Sequence, residues 1–442
     1  MPPGSPEAPV AIVGAGACGL TAALMLRDAS IDCVLLERDG RSGGSTALSS
    51  GFIPAAGTAV QRAAGVHDDS AARFARDIQA KAHGSAAPHL VTAYTEAIGP
   101  AIDALGSRHG IAFELLDGFV YPGHGVLRMH AVAQRTGAAL VVALEAAALG
   151  RGALQIHEAR VCELWCDDRD RVVGIGFERP NGVVEQLACR VLLLACNGFG
   201  GNPEMVRELL PEMRDAVFAG HAGNDGSAIA WGRRLGARLA DLGSYQGHGS
   251  WAVPHGVLIS WALMTEGGIQ VNAEGRRFHD ETEGYSEASV QVLAQPGRIA
   301  WDIFDDRLLA LGRTFPDFVA AESAGAVRTA ADAAALAALI GCDAAVLAAT
   351  LAGTRLVAPY HAVKVTGALF HTQGGLDIDA RCRVRRDDGT LFPNLLAAGG
   401  AARGVSGGAV WGYLSGNGLL SAVAGGAIAA RSAADLLQEN TR

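Results

Sequence analysis

The chain carries no cluster of lysines and arginines. Its 36 basic residues are outnumbered by 45 acidic ones, a net charge of −9. The electrostatic footprint of a nucleic-acid binder is therefore missing, and the acidic balance speaks only for solubility. Charged residues make up 18% against 50% hydrophobic, the reverse of a disordered chain. The eight cysteines, at 18, 33, 162, 166, 189, 196, 342 and 382, are scattered. Cys162 and Cys166 stand close, but no second pair completes a metal set. No metal site is expected, and buried free thiols in a reducing compartment are the reading. The opening MPPGSPEAPV lacks the basic and apolar regions of a signal peptide. Long apolar runs are missing too: VAIVGAGACGL reads as strand and turn, and GLLSAVAGGAIAA is too short and glycine-rich to span a bilayer. No internal repeat or low-complexity linker interrupts the chain. A cytoplasmic protein with no transmembrane segment is expected.

What the chain does hold is glycine, 58 residues among 442. That abundance fits backbone packed closely against a ligand, or equally a GC-rich coding sequence. The length calls for two to three lobes. VAIVGA (10–15) has a buried-strand pattern and runs into GAGACG, which sets Gly14, Gly16 and Gly19 at GxGxxG spacing around Ala15 and Cys18. An amphipathic helix (LTAALMLRDA) and a second strand (DCVLLE) follow, ending at Glu37. The order has a mechanism. Gly14 permits the tight turn, Gly16 lets backbone approach a pyrophosphate, and Gly19 lets helix pack on strand. The helix N-terminus faces the phosphates, and Glu37 accepts from ribose hydroxyls. This motif by itself does not separate NAD from FAD.

The following text bears on that choice. After Glu37 and Arg38 comes a run of small residues, Gly43, Gly44, Ser45, Thr46, Ser49, Ser50 and Gly51, suited to a second loop against phosphate and flavin. CRVLLLACNGFGGN (189–202) reads as a strand ending at a glycine turn, with Cys196, Asn197 and Gly198 at the bend. Both features resemble the glutathione-reductase-like group of FAD enzymes.

Three segments are expected: 1–242, 243–356 and 357–442. The first contains an amphipathic helix at 135–150 and an alternating β stretch from Ala159 to Cys196, turned at DDRDR and PNG. Val161, in that stretch, is counted among the cofactor contacts. The middle segment has a hairpin-like NAEG and two alanine-rich helices, for which Thr329 and Asp343 are placed as N-caps. The last returns to glycine-rich, strand-like text. The fold expected is α/β: a Rossmann FAD-binding domain interrupted by a capping domain.

The ordered motifs VGAGACGLTAAL, GGSTALSSGF, ACNGFGGN, HAGNDGSAIAWGRRLGA, NAEGRRFHDE, KVTGALFHTQGGLDID and AAGG…GYLSGNGLLSA resemble the fumarate reductase/succinate dehydrogenase flavoprotein superfamily. That superfamily includes the 3-ketosteroid Δ1-dehydrogenases. The similarity spans almost the whole chain. It implies FAD, a cap over the isoalloxazine, and hydride transfer between flavin N5 and a carbon beside an activating group. Members with covalent FAD carry a histidine where this chain has GGSTALSSG, so non-covalent FAD is expected. Asp225 matches the family's T-G-D-G turn. Gly416, Asn417 and Leu419, with Ser415, are expected at the isoalloxazine. At 397–400 the family's AAGE is AAGG here, so Gly399 and Gly400 stand without the glutamate that contacts ribose.

The departures narrow the chemistry. Dicarboxylate reductases place an arginine proton donor after RF-x-N/D-E and a second, carboxylate-clamping arginine before the final L-G-G-N. Here those places hold Tyr285 and Tyr413. A phenol cannot clamp a carboxylate bidentately, so fumarate and succinate are not the expected substrates. The ketosteroid dehydrogenases resemble this pattern better: a tyrosine base in the first loop, a tyrosine and a backbone NH on the ketone oxygen, and a supporting tyrosine in a Y-P loop, here Tyr121. His371, in FHTQGG, matches a family histidine near flavin and substrate, and His248 matches the cap-side one. Trp251 and Trp411 are expected as pocket walls. A phenol is a weak base at neutral pH, and His371 or His248 is expected to lower the Tyr285 pKa. The resemblance thus implies an FAD-dependent α,β-dehydrogenase of a ketone, cyclic or steroid-like. An ene-reductase, an acid dehydrogenase anchored by His371, and an electron-transfer subunit stay open. The partners expected are a small-molecule substrate and an unidentified electron acceptor.

Overall fold

The computed structural model describes residues 6–439. Met1–Ser5, part of the stretch read for a signal peptide, lie outside the described residues. The chain divides into two compact units. The first comprises Met1–Met205, Gly220–Ser244 and His371–Arg442; the second comprises Val206–Ala219 and Tyr245–Phe370. The second unit therefore borrows a short segment from the expected first lobe and runs past the break expected near 356.

The first unit begins as its glycine spacing demands. Strand β1 (Glu7–Val13) enters the turn, α1 (Ala17–Asp28) follows, and β2 (Cys33–Leu36) returns beside β1 in parallel. Helix α2 (Gly137–Gly150) starts at Thr136, whose side chain accepts from the Ala139 amide. It is apolar all round rather than amphipathic: Val142 is 65% and Leu149 48% exposed. Strand β3 (Leu154–Ile156) extends the sheet beyond β2. Strands β4 (Arg160–Cys166), β5 (Val172–Glu178) and β6 (Val184–Leu194) form the antiparallel excursion read from the alternating stretch, and β6 returns parallel to β1.

The second unit holds β7 (Tyr245–Ala252), β8 (Val257–Leu258), β9 (Ile269–Val271), helix α3 (Tyr285–Leu293), β10 (Ala300–Asp305) and β11 (Tyr360–Thr372), the last running on into the first unit. Its sheet runs β8-β7-β11-β10-β9. NAEG closes a tight turn, with the Gly275 amide donating to the Asn272 carbonyl at 3.0 Å. Asp343 caps the helix Ala344–Ala352 as expected. Thr329 caps nothing: it lies in the strand Arg328–Ala330, paired with β11, and Asp332 caps the helix Ala333–Ile340.

Back in the first unit, β12 (Arg383–Arg385) and β13 (Leu391–Ala397) complete a sheet ordered β12-β13-β6-β1-β2-β3, in which β13-β6-β1-β2-β3 form the parallel core of an α/β fold and β12 is an antiparallel edge. Helix α4 (Asn417–Glu439) closes it. Among the described residues α4 alone is long and apolar enough to cross a membrane, but 78% of its most apolar window is buried within the protein. Each unit has its own hydrophobic core.

Candidate active site

The first unit builds a cradle at the β1–α1 turn. Gly14 has φ +106°, and a Cβ there would meet the Ala195 carbonyl oxygen at 2.6 Å. A Cβ on Gly19 would sit 2.0 Å from the Gly14 carbonyl oxygen. Both glycines are demanded by the protein's own packing. Gly16 differs: its Cβ would meet only the Thr46 hydroxyl, at 3.3 Å. Backbone can thus be approached from outside there. The N-cap residue Gly16 has no side chain to offer α1, and the first amide of the helix, that of Ala17, donates to the Thr46 hydroxyl at 3.0 Å. Glu37 is 6% exposed, with one oxygen taken by the Ala15 amide at 2.9 Å and the other by Asp39 at 3.1 Å. Carboxylate oxygens each accept more than one bond, so both can still accept from sugar hydroxyls.

The small-residue loop and the Asn197 turn meet at Ser45, whose hydroxyl accepts from Asn197 and Asn224, each at 2.8 Å. Asn197 has φ +64°, and a Cβ on Gly400 would strike its Oδ1 at 2.1 Å. Asp225 pairs with Arg38 at 3.0 Å and accepts from the Ser227 amide. Burial alone would raise its carboxyl, but bonds from Ser227 and Arg38 hold it below the ordinary range. At the start of α4, Asn417 is fully buried and its Oδ1 has no hydrogen-bond partner. A ligand N–H would satisfy that oxygen. Open backbone at Gly16 before the start of α1, spare capacity on Glu37 and this orphaned oxygen together fit a dinucleotide carrying a hydrogen-bonding ring system. FAD is such a group.

Beside Asn417 stand His371 and Tyr413, ring centroids 5.7 Å apart and edge to face. Gly418 is glycine because a Cβ would come within 2.7 Å of the His371 ring. Burial lowers the His371 pKa to about 4, so the ring is neutral at pH 7. Gln373 Nε2 lies 3.1 Å from His371 Nδ1, and its Oε1 takes the Ser406 hydroxyl at 3.1 Å. Ser406 in turn accepts from Asn417 Nδ2 at 2.9 Å. Nδ1 also lies 3.4 Å from the Thr372 carbonyl, and the shorter approach of the Gln373 amide, as donor to Nδ1, favours the ring hydrogen on Nε2. Burial pushes the Tyr413 phenol well above its ordinary value, although the Gly418 and Gly416 amides donate to its oxygen. Tyr413 is therefore a phenol and a donor. Gln373 and Ser406 went unremarked in the sequence, although the Q of HTQGG was the available signal.

Tyr121 packs on Phe119 and Phe52, with centroids 5.0 and 6.4 Å away. Three residues on, His124 Nε2 lies 2.9 Å from the Ser415 carbonyl and Nδ1 3.1 Å from Arg128. An arginine only donates, so His124 carries its hydrogen on Nε2 and gives it to Ser415. Arg128 is fully buried and grips Asp69 and Asp77. None of this network stood out in the sequence, because its carboxylates lie 51 and 59 residues from the arginine. Trp411 stacks on His83 at 4.6 Å. Val161 is buried in β4 and Cys196 is a free thiol. No group of metal-ligating side chains is found among the described residues.

The second unit holds Tyr285, His248 and Trp251. Tyr285 lies not in a loop but at the first position of α3, after Gly284 at φ +133°. The His248 ring stacks on it at 4.9 Å and 16°. Gly249 and Gly247 allow α3 this close: a Cβ on Gly249 would meet Ala288 Cβ at 2.7 Å. Trp251 stands edge-on to Phe370 at 5.7 Å. Burial lowers the His248 pKa to about 3. With the His371 pKa lowered as well, both rings are neutral in their dry surroundings, so help from either to the Tyr285 phenol comes as a hydrogen bond and not as a positive charge.

An FAD binding domain family matches residues 9–419. The chain belongs to this family. Relatives of this FAD-binding protein include the fumarate reductase (cytochrome) of Shewanella frigidimarina, 27% identical over 98% of the chain and 78% of the relative. Among solved structures, a flavocytochrome c3 fumarate reductase in an open conformation superimposes with TM-score 0.83 at 26% identity, covering 98% of this chain and 79% of that one. The 3-ketosteroid-Δ4-(5α)-dehydrogenase of Rhodococcus jostii superimposes with TM-score 0.77 at 25% identity, covering 97% of each. The protein is an FAD-dependent oxidoreductase acting on carbon–carbon bonds.

Proposed function

We propose that this oxidoreductase dehydrogenates a ketone, cyclic or steroid-like, across its α,β carbons. The observation that carries the reading is Tyr413. Where the resemblance calls for a carboxylate-clamping arginine, the chain has a buried, uncharged phenol beside a neutral His371. Such donors suit a carbonyl oxygen that gathers charge, whereas a carboxylate would be left without a counter-ion. The backbone amides at the start of α4 add the positive end of a helix dipole.

FAD, held non-covalently by the β1–α1 turn, Glu37, the Gly43–Gly51 loop and the Asn197 turn, supplies the hydride acceptor. The chain's residues handle the proton. Polarising the carbonyl acidifies the α-carbon, and Tyr285 takes its proton as a phenolate. Its place at the head of α3 favours that anion by about 0.3–1 kcal/mol. Tyr121 supports the base. His371 donates from Nε2 and keeps the carbonyl aligned.

Anaerobic mixing of the yellow protein with saturated cyclic ketones, 3-ketosteroids and short carboxylic acids tests this. Bleaching by a ketone is the expected result. Bleaching by acids alone would move the anchor to His371 and retire the ketone. Reoxidation of reduced protein by an enone, with no bleaching, would make the reaction a reduction, the direction named for the Shewanella relative.

A further inference from the structure

The second unit contains a buried polar cluster to which no role has yet been given. Asp302 on β10, Gln270 on β9 and Ser250 on β7 are all fully buried. Strands β9 and β7 are separated in the sheet by β10 and β11, yet Gln270 Nε2 lies 3.1 Å from both Ser250 Oγ and the Gly249 carbonyl. The sheet is therefore rolled, and the three side chains lie inside the roll. Gln270 Nε2 also reaches Asp302 Oδ1 at 2.7 Å. Three acceptors around one atom identify it as the amide nitrogen, so Oε1 accepts. His279 Nε2, 2.8 Å from Oε1, is then the protonated nitrogen of its ring.

On the other side the Ser250 amide donates to His248 Nδ1 at 3.0 Å, which leaves the His248 hydrogen on Nε2. A row of rings completes the circuit. Tyr285 stacks on His248, His248 stands edge-on to Trp261 at 5.8 Å, and Trp261 lies over His279 at 6.2 Å. Asp302 thus reaches His279 through Gln270, and His248 through Gln270 and Ser250 in turn.

The second oxygen of Asp302 is buried without a hydrogen-bond partner. No ion pair to Asp302 is found among the described residues, and the charged group acting on it is Glu281, itself bound to Arg277. A carboxylate so placed is unfavourable. We infer that Asp302 is a positioning residue for Tyr285 and His248, acting as an uncharged acid at the hub of this circuit. Burial raises its pKa to about 7; the bond from Gln270 and the nearby Ser250 hydroxyl oppose the rise, and Glu281 adds to it. Ionisation draws the Gln270 amide toward the new charge and away from Ser250 and the Gly249 carbonyl, which loosens the holds on His248 and His279. Both histidines are themselves lowered by burial, so a transition above their ordinary range is not theirs.

The importance for turnover rests on the role proposed for Tyr285; the protonation itself does not, and is read without substrate. In the infrared, wild-type holoenzyme at pH 6 should show a carboxylic-acid carbonyl band that disappears by pH 8 and is absent from Asp302→Asn. A wild-type spectrum without that band overturns the proposal. With nitrogen-labelled histidine, the His248 resonances should shift over the same range without Nδ1 gaining a proton, and stay still in Asp302→Asn; equal shifts in both proteins overturn it. With a substrate in hand, Asp302→Asn should keep the pH 6 rate within about 3-fold and lose the fall at higher pH. Should that variant not fold, Ser250→Ala serves: removing a hydroxyl that lowers the Asp302 pKa moves the band's loss upward in pH. An unmoved band counts against the circuit.

Discussion

Replacing Arg128 by leucine should cost the first unit about 3–5 kcal/mol, the usual penalty for stranding a buried charge. The structure says which charge. Asp69 has a side chain 1% exposed and receives Arg128 at both oxygens, 2.7 and 2.9 Å away. Asp77, 18% exposed, takes the same guanidinium at 2.8 Å and can turn to water more cheaply. Burial alone would raise the Asp69 carboxyl, but bonds from Arg128 and Gln61 hold it below the ordinary range. Its folded pKa is thus depressed, and the stability it contributes is present above about pH 4 and lost as pH falls below that. Without Arg128 only the bonds from Gln61 and the Ser70 amide oppose burial, Asp69 titrates higher, and the loss grows as pH rises. Urea denaturation at pH 5 and pH 8 should therefore show Arg128→Leu more damaging at pH 8. Adding Asp69→Asn should recover part of the loss there. A cost under about 1 kcal/mol at pH 8, or a double variant no better than the single, would refute the argument.

Tyr285→Phe should retain FAD and lose about 10²–10⁴-fold in turnover, read by stopped-flow flavin reduction; an active variant removes Tyr285 from the mechanism. Gly19→Ala should purify colourless, because its Cβ would lie 2.0 Å from the Gly14 carbonyl oxygen and push α1 off the turn. Gly418→Ala should keep its flavin but raise KM for the productive ketone, since the new methyl displaces the His371 ring. His371 and His124, with pKa values lowered to about 4, and His248, to about 3, are held neutral by burial. The stability they contribute is present above about pH 6.5 and lost as pH falls toward 4, where the unfolded chain gains protons first. Urea midpoints should drop across that window, and flat midpoints would show the rings to be hydrated.

The β1–turn–α1–β2 start was legible because everything it needs is local: a buried run, three spaced glycines and a terminal acid. Asp343 was legible as a cap for the same reason. Thr329 was not, because a cap and a strand residue read alike until the partner strand is known; pairing with His361 decides it. Tyr285 looked like loop text among acidic neighbours, yet a positive φ at Gly284 starts a helix there. The neutrality of His248 and His371 was not legible, because their dryness comes from segments far along the chain. The same distance hid the circuit through Asp302, whose partners lie 20–32 residues apart.

The close packing of α4 on α1 has a consequence for synthesis. A Cβ on Gly426 would meet the Cys18 carbonyl oxygen at 2.4 Å, and β13 lies beside β6, the neighbour of β1. The nucleotide-binding turn therefore leaves the ribosome long before the strand and helix that cover its sheet and helix. Until residues 391–439 arrive, the inner face of α1 is bare apolar surface attached to a growing chain. Such high contact order delays folding and invites chaperone capture. Loading of the cofactor becomes an event that waits for α4, and the yellow colour of the protein is a sign that this helix has docked on α1.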